Sequence, residues 1–395
     1  MDDLYWDPFD EDIHRDPHDT WRRLRDEAPV YRNERHDFWA LSRYTDVEAA
    51  HLDTRTYSSA RGTVLELMGR DMSGTGQMIF LDPPDHTRLR HLVSRAFTPR
   101  RVSALETRIR GFCADMLDPQ RDASGFDYLQ DFGARLPSMV ISSLLGVPSE
   151  DQEQFRHTVD RLFHIEPGVG MLNATSIGAG MELGDYLGAL LALRASSPQD
   201  DLLTALVEAE ITDDDGTTRR LTTEEGRSFA VLLLSAGTET VARLLGWAAV
   251  VLAAHPDQRK ELVADRSLIP NTIEELLRYE APSPVQGRWT TRPVTLHDTP
   301  IPASAKVLLL TGSAGRDPRA YDDPDRFDIH RTIDGHVSFG HGIHFCVGAA
   351  LARLEGRIAL EETLARFPTW DVDHDHAVRL HTSTVRGYAR VPITV

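Results

Sequence analysis

Cysteine and lysine are both scarce in this chain of 395 residues. Cys113 and Cys346 are the only two cysteines and lie far apart, which excludes a framework of several disulfide bonds and predicts a reducing, cytoplasmic location. Lys260 and Lys306 are the only lysines, and the formal net charge is −18. Because nucleic acids are polyanions that bind basic surfaces, this charge argues against a nucleic-acid partner.

Long apolar runs and linker-like tracts are also missing. The longest apolar run, Leu244 to Ala254, is too short to span a bilayer. The first residues, MDDLYWD, lack the apolar stretch of a signal peptide, so neither a leader nor a membrane anchor is expected. No glycine/serine-rich tract or repeat divides the sequence, and 41% of its residues are hydrophobic. We therefore predict a single domain over residues 1–395.

Cys346 lies in the run FGHGIHFCVG, which spans residues 339–348 and contains three glycines. A helical pattern with Leu351, Leu354 and Ile358 on one face follows directly. The sulfur is thus predicted at a helix start, where unpaired N–H groups lower the pKa of a thiol. This arrangement suits a nucleophile or a metal ligand. A buried cysteine at a loop corner is the alternative for a lone cysteine.

His86 and Arg90 are four residues apart and therefore share one face of a helix that opens at DPPDHTRLR. Two donors on one face can hold a carboxylate, although a solvated basic face is the simpler interpretation of this pair alone.

The pattern from Glu225 to Ala254 predicts one helix long enough to cross a whole domain. Its apolar centre contains AGTET, residues 236–240, where glycine and two threonines weaken the helix and Glu239 places a carboxylate among leucines. A destabilising run inside an otherwise stable helix is typical of a functional site. A kinked helix with a surface glutamate is the alternative.

Other segments have simpler patterns. Residues 20–27 predict a short helix, and Val30-Tyr31 and residues 38–41 predict strands. Residues 58–84 form an irregular loop, which we interpret as a cover over a pocket. Residues 164–180 predict a glycine-rich connection between helices, and residues 294–298 and 305–311 predict a hairpin. Cys113 is expected in the core.

The patterns together resemble the cytochrome P450 family of haem-thiolate monooxygenases. Phe339, Gly342, Cys346 and Gly348 match its F-x-x-G-x-x-x-C-x-G haem-binding signature. The family's H-x-x-x-R, A-G-x-[D/E]-T and E-x-x-R motifs precede that signature in order. The resemblance implies a mainly α fold with a smaller β-rich part, in which the long helix crosses over a buried haem b.

The resemblance also implies the roles of individual residues. Cys346 would be the axial iron ligand, Glu239 and Thr240 would relay protons, and Glu275 and Arg278 would form a buried structural cluster, completed by Arg331 in preference to Arg326. The haem-binding residues would be His86, Arg90, Ala236, Gly237, Arg288, Phe339, His344, Cys346 and Gly348.

The implied reaction inserts one oxygen atom from O2 into a hydrophobic small molecule, by hydroxylation or epoxidation, as a step of secondary metabolism. Electrons would come from a ferredoxin and its reductase, and the enzyme would be a monomer without a membrane partner. A basic patch for the ferredoxin would comprise Arg88, Arg95, Arg100, Arg101, Arg353 and Arg357. The substrate pocket would contain Val64, Leu65, Met68, Met78, Leu232, Ala236, Val285, Gln286 and Thr384.

Two alternatives compete with this interpretation. A peroxide-driven or rearranging haem-thiolate enzyme would need no reductase, but such enzymes usually lack the acid–alcohol pair that Glu239 and Thr240 supply. A non-enzymatic metal-binding or sensor protein would use His341, His344 and Cys346 as zinc ligands, without the paired spacing usual for zinc.

Overall fold

The structure, a computed structural model, describes residues 4–94, 97–166, 169–170, 172–212 and 216–395. Helices dominate it, as predicted. The α-helices are α1 Glu11–Arg15, α2 His18–Glu27, α3 Tyr44–Leu52, α4 Asp85–Ser94, α5 Pro99–Ser103, α6 Glu106–Leu117, α7 Arg135–Leu145, α8 Gln152–Leu162, α9 Ala174–Ser196, α10 Leu202–Glu208, α11 Thr223–Ala254, α12 Pro256–Ala264, α13 Ile269–Tyr279, α14 Thr311–Ala314 and α15 Ala349–Arg366.

The strands form a smaller part beside the helices. They are β1 Val30–Asn33, β2 Phe38–Leu41, β3 Tyr57–Ser58, β4 Gly125–Asp127, β5 Glu210–Thr212, β6 Thr218–Arg220, β7 Gln286–Thr290, β8 Val294–Leu296, β9 Thr299–Ile301, β10 Lys306–Leu309, β11 Asp371–Val372, β12 Val378–His381, β13 Arg386–Arg390 and β14 Pro392–Thr394. The largest sheet has the order β1-β2-β10-β7-β3, with β2 and β10 parallel and its other pairs antiparallel.

The long helix α11 is the central element of the fold. It begins with a capping box, in which Thr222 and Glu225 each bond the other's backbone N–H, and its 32 residues span about 48 Å. It is long and apolar enough to cross a membrane, but 61% of its most apolar stretch is buried inside the fold, as in a helix of a protein core. One core cluster packs its second half against α6, α13 and α15, and another packs its first half against α7, α9 and α10.

Two predictions from local patterns are wrong. Residues 294–298 do not pair with residues 305–311: β8 pairs with β9 across His297 and Asp298, which both have left-handed backbone angles, and β10 lies between β2 and β7. The connection after α8 is also shorter than predicted, because a capping box of Asn173 and Ser176 starts α9 before Gly178 and Gly180. Residues 167, 168 and 171 of that connection lie outside the described residues.

Candidate active site

The loop that carries Cys346 is fixed by its own backbone. The Cys346 N–H donates to the Phe339 carbonyl at 2.9 Å, and Gly340 and Gly342 adopt left-handed angles, with φ of +70° and +66°. A side chain at Gly342 would bring its Cβ within 3.0 Å of the His51 carbonyl oxygen, so the loop needs glycine there for both space and conformation. Helix α15 begins directly after Gly348, and the Gly348 N–H bonds the Cys346 sulfur.

The predicted direction of the Cys346 pKa is wrong for the protein atoms alone. Burial raises the pKa of the thiol, and the Gly348 N–H together with Arg90 and Arg353 opposes that rise only in part. The pattern identified the helix start correctly but gave no measure of how deeply the thiol is buried. Here the rise in pKa caused by desolvation is larger than the fall caused by the helix start. A bound metal cation would reverse the balance, because a coordinating thiol is deprotonated.

Cys346 lines a mainly apolar cavity, to which the loop after β3, helix α11 and the start of α15 also contribute side chains. Helix α11 contributes Ala236, Gly237 and Thr240 to the wall of the same cavity. Helix α15 contributes residues beyond the cysteine.

Most of the predicted pocket residues line this cavity. Leu65 and Met68 do not, and the prediction for these two is wrong: the short 3-10 turn Leu65–Leu67 directs them into a core cluster with Trp6 and Trp21. The predicted residues that do line the cavity are Val64, Met78, Leu232, Ala236, Val285, Gln286 and Thr384. Apolar residues that the sequence interpretation missed include Ile79, Phe97, Ile141, Leu233, Val241 and Leu244.

A cationic cluster adjoins the cysteine side of the cavity. It brings together His86, Arg90, Arg288 and His344, which are far apart in sequence, and the His86 and His344 rings lie 4.3 Å apart between centroids. Both ring nitrogens of His86 and Nε2 of His344 are buried and have no hydrogen-bond partner among the described residues. Buried polar atoms are normally paired, so the histidine nitrogens here lack the hydrogen-bond partners that a bound group would supply.

Burial and mutual repulsion oppose positive charge in the cluster. Burial lowers the pKa of His86 to about 4, with Arg90 adding to the effect, and lowers the pKa of His344 to about 2, with Arg288 and His86 adding. Burial also lowers the pKa of Arg288 to about 10. An anionic group in the cavity would relieve all three effects. The two propionates of a haem held by Cys346 would fit this set of donors.

Glu239 and Thr240 do not share one direction, because successive residues of a helix point about 100° apart. Thr240 lines the cavity and its hydroxyl donates to the Ala236 carbonyl at 2.9 Å. Glu239 is buried on another face of α11, where its carboxylate pairs with Arg243 one turn further along at 3.0 Å. Of this pair, only Thr240 is therefore among the residues that line the cavity, and the proton relay implied for the two stays a prediction.

The predicted structural cluster forms behind the cysteine loop. The Arg278 guanidinium donates to both oxygens of Glu275, at 2.7 and 2.8 Å, and neither side chain is exposed. Arg331 is the residue that completes it, since its Nε lies 3.2 Å from Glu275, whereas Arg326 contributes its backbone carbonyl. Arg278 also donates to the carbonyls of Gly315 and Pro324, which joins α13 to the coil before the haem-binding signature.

Glu355 is a cavity residue that the sequence interpretation missed. It lies on α15, its Oε2 has no hydrogen-bond partner within the described part of the chain, and burial raises its pKa from 4.5 to about 8. Its spacing from Arg353 and Glu361 resembles that of an ordinary charged helix face, so only the packing reveals the unpaired carboxyl.

Glu355 makes stability fall with rising pH. Its pKa is raised on folding, so the folded protein binds a proton that the unfolded chain releases between pH 4.5 and about 8, and the stabilising effect is lost across that range. We expect Glu355→Gln to be more stable than the wild type at pH 8.5, by about 3 to 5 kcal/mol. Urea unfolding at pH 5 and pH 8.5 measures this. An equal dependence on pH in both proteins would contradict it.

The geometry disfavours a zinc site. His341 is half-exposed and its ring lies 3.8 Å from Glu48, whereas His344 packs on His86. Among the described residues, no group of three or more histidine, cysteine, aspartate or glutamate side chains is placed to hold a metal ion.

Comparisons with known proteins agree with this geometry. The family model "Cytochrome P450" matches residues 190–390. "Putative cytochrome P450 123" of Mycobacterium tuberculosis is 42% identical, over 100% of this chain and 97% of that protein. "Vitamin D(3) 25-hydroxylase" of Pseudonocardia autotrophica is 40% identical, over 98% and 96%. The structure of CYP109Q5 from Chondromyces apiculatus superposes with a TM-score of 0.89 at 35% identity, covering 98% of this chain and 97% of that one.

The expected family and fold class are thereby confirmed. The cofactor of this family is haem b with a cysteine thiolate as its axial ligand. This chain belongs to the cytochrome P450 family and is a monooxygenase.

Proposed function

We propose that this enzyme inserts one oxygen atom from O2 into a lipophilic small molecule, as a hydroxylation or epoxidation step of secondary metabolism. Cys346 would hold the haem iron through its thiolate. The observation that carries this proposal is the position of the Cys346 sulfur, bonded by the Gly348 N–H and facing a large, mainly apolar cavity beside partnerless buried imidazoles. The haem, when bound, supplies the oxygen activation.

The protein's own residues bind, orient and protonate. His86, Arg90, Arg288 and His344 would hold the propionates of a bound haem, and Phe339 packs beside the cysteine. Ala236 and Gly237 would leave space for it beside α11. Thr240 presents a hydroxyl within the cavity, and Glu239, paired with Arg243, would relay protons to it.

The lining favours a hydrophobic substrate. Side chains from the loop after β3 and from α11 are largely aliphatic, Val285 adds another just before β7, and hydroxyls and one amide interrupt them at Thr63, Ser283 and Gln286. The name of the relative from Pseudonocardia autotrophica, a vitamin D(3) hydroxylase, supports a lipophilic substrate class. We also propose a cytoplasmic monomer with residues 1–395 as one domain, in which Cys113 and Cys346 form no disulfide bond.

Isotope labelling tests the reaction. With ¹⁸O₂, NADPH, a ferredoxin and its reductase, each product molecule should gain one labelled oxygen, while the second leaves as water after the uptake of two electrons and two protons. Hydrogen peroxide alone should not sustain turnover. Efficient turnover with peroxide and none with the electron donors would favour the peroxide-driven alternative instead.

The ferredoxin is proposed to dock beside the cysteine loop. Three arginines of the predicted basic patch already have acidic partners. Arg353 pairs with Glu274, and Arg357 pairs with both Glu106 and Glu361. Arg88 pairs with Asp85. Arg95 lies outside the described residues. Arg100 and Arg101 remain exposed on α5, which packs against α15, and Phe345 is 37% exposed on the cysteine loop.

Reversing the charge of Arg100 and Arg101 should slow electron transfer. We expect Arg100→Glu/Arg101→Glu to lower the ferredoxin-driven reduction rate on the order of 10-fold at low salt, because steering of an acidic partner is lost. Stopped-flow reduction under carbon monoxide measures the rate, with dithionite reduction as the internal reference. Arg22→Glu/Arg23→Glu on α2 is the matched control, and equal rates in the two variants would contradict the docking site.

A further inference from the structure

His51 is a buried histidine that belongs to none of the family motifs in the sequence. It lies in the last turn of α3 and is 2% exposed. The cysteine loop packs directly on it: a Cβ at Gly340 would lie 3.7 Å from His51 Cε1, and one at Gly342 would lie 3.0 Å from its carbonyl oxygen. His51 is therefore part of the support under the axial ligand.

The imidazole of His51 contacts Arg288, the cationic residue at the cavity wall. Nη2 of Arg288 lies 3.4 Å from Nδ1 of His51, and Nη1 of Arg288 donates to the Gly287 carbonyl at 2.7 Å. A guanidinium can only donate, so Nδ1 of His51 is the acceptor and the proton lies on Nε2. Burial, followed by Arg288 and His341, lowers the pKa of His51 to about 3, which keeps the ring neutral and able to accept.

The second ring nitrogen of His51 has no hydrogen-bond partner among the described residues. Like the partnerless nitrogens of His86 and His344, it is buried, and both His51 and His86 lie close enough to His344 to affect its charge. Asp82 is the acid that acts on Arg288, but its carboxylate already accepts from Ser58 and Ser59. The described protein atoms therefore leave this side of the cavity with donors in excess.

We propose that His51 is a positioning residue for the haem: by accepting from Arg288 it orients that guanidinium at the cavity wall, where Arg288 would meet the propionates. This inference rests on the proposed function, since it requires haem above Cys346. The residues that hold the haem in place would then include one on α3, a helix outside the family motifs. A leucine of similar volume at position 51 would keep the packing and remove the acceptor, leaving an Arg288 donor unpaired.

The test uses haem-loaded His51→Leu and His51→Gln. We expect His51→Leu to lose haem to excess apomyoglobin about 10-fold faster, the lower end of the effect usual for outer-shell partners of metal sites. Its reduction potential should also become more negative, because the propionate charge is less well neutralised. His51→Gln should restore both values in large part, because the amide oxygen can accept from Arg288.

The outcomes separate this inference from the proposed function. His91→Leu, an exposed histidine of α4, should leave both values unchanged. If His51→Leu matches the wild type, or if His51→Gln fails to restore either value, His51 acts only in packing and the inference is overturned. If the wild type binds no haem, the proposed function fails first.

Discussion

Arg278→Leu is expected to remove the stable haem-loaded protein. The substitution leaves the Glu275 carboxylate fully buried without its main partner and also breaks the bonds to Gly315 and Pro324. Removing one member of a buried ion pair costs about 3–5 kcal/mol, a large part of the about 5–15 kcal/mol that stabilises an ordinary domain. Denaturant unfolding and the yield of haem-loaded protein measure the loss.

Two further variants identify the cause of that loss. Arg22→Leu removes an arginine from an exposed pair with Asp19 and should have little effect. The double variant Glu275→Leu/Arg278→Leu should recover part of the stability, because no uncompensated charge is then buried. An Arg278→Leu protein as stable as Arg22→Leu would contradict the structural role of the cluster.

Thr240→Ala is expected to separate electron consumption from product formation. The hydroxyl lies in the cavity wall and is the group through which a proton reaches the reacting oxygen in the proposed function. Positioned proton transfer contributes on the order of 10²–10⁴-fold to rates, so product per NADPH should fall steeply while NADPH is still oxidised. Glu239→Gln should act in the same direction, since Glu239 is the proposed proton source.

Thr238→Ala is the matched control for this experiment. Thr238 is on the same helix, is buried, and bonds the Leu234 carbonyl at 2.9 Å, but it does not line the cavity. Its loss should leave product formation nearly unchanged. Equal coupling of NADPH oxidation to product in Thr240→Ala and Thr238→Ala would contradict the role of Thr240.

The sequence predicted features that depend on local spacing. Helix α11 is observed two residues longer than predicted, because the capping box begins at Thr222. The approach of Arg331 to Glu275 is also confirmed. The helix follows from a local pattern, whereas the Arg331 contact, between residues 56 apart in the chain, was implied only by the family resemblance.

Features that depend on distant neighbours were not predictable in the same way. Glu355 and His51 look like ordinary helix residues in sequence, and only packing shows that one carboxyl and one imidazole are buried without full pairing. Leu65 and Met68 have the right character for a pocket but the wrong direction. The raised pKa of Cys346 depends on desolvation, which no spacing reveals.

The central claim is that Cys346 is the thiolate ligand of a haem, and the spectrum of the reduced protein with carbon monoxide tests it most directly. Our account predicts a Soret band shifted far to the red, as a thiolate ligand produces, and its loss in Cys346→Ala. A Soret band at the position typical of histidine-ligated haem, or a red-shifted band that survives in Cys346→Ala, would contradict the claim.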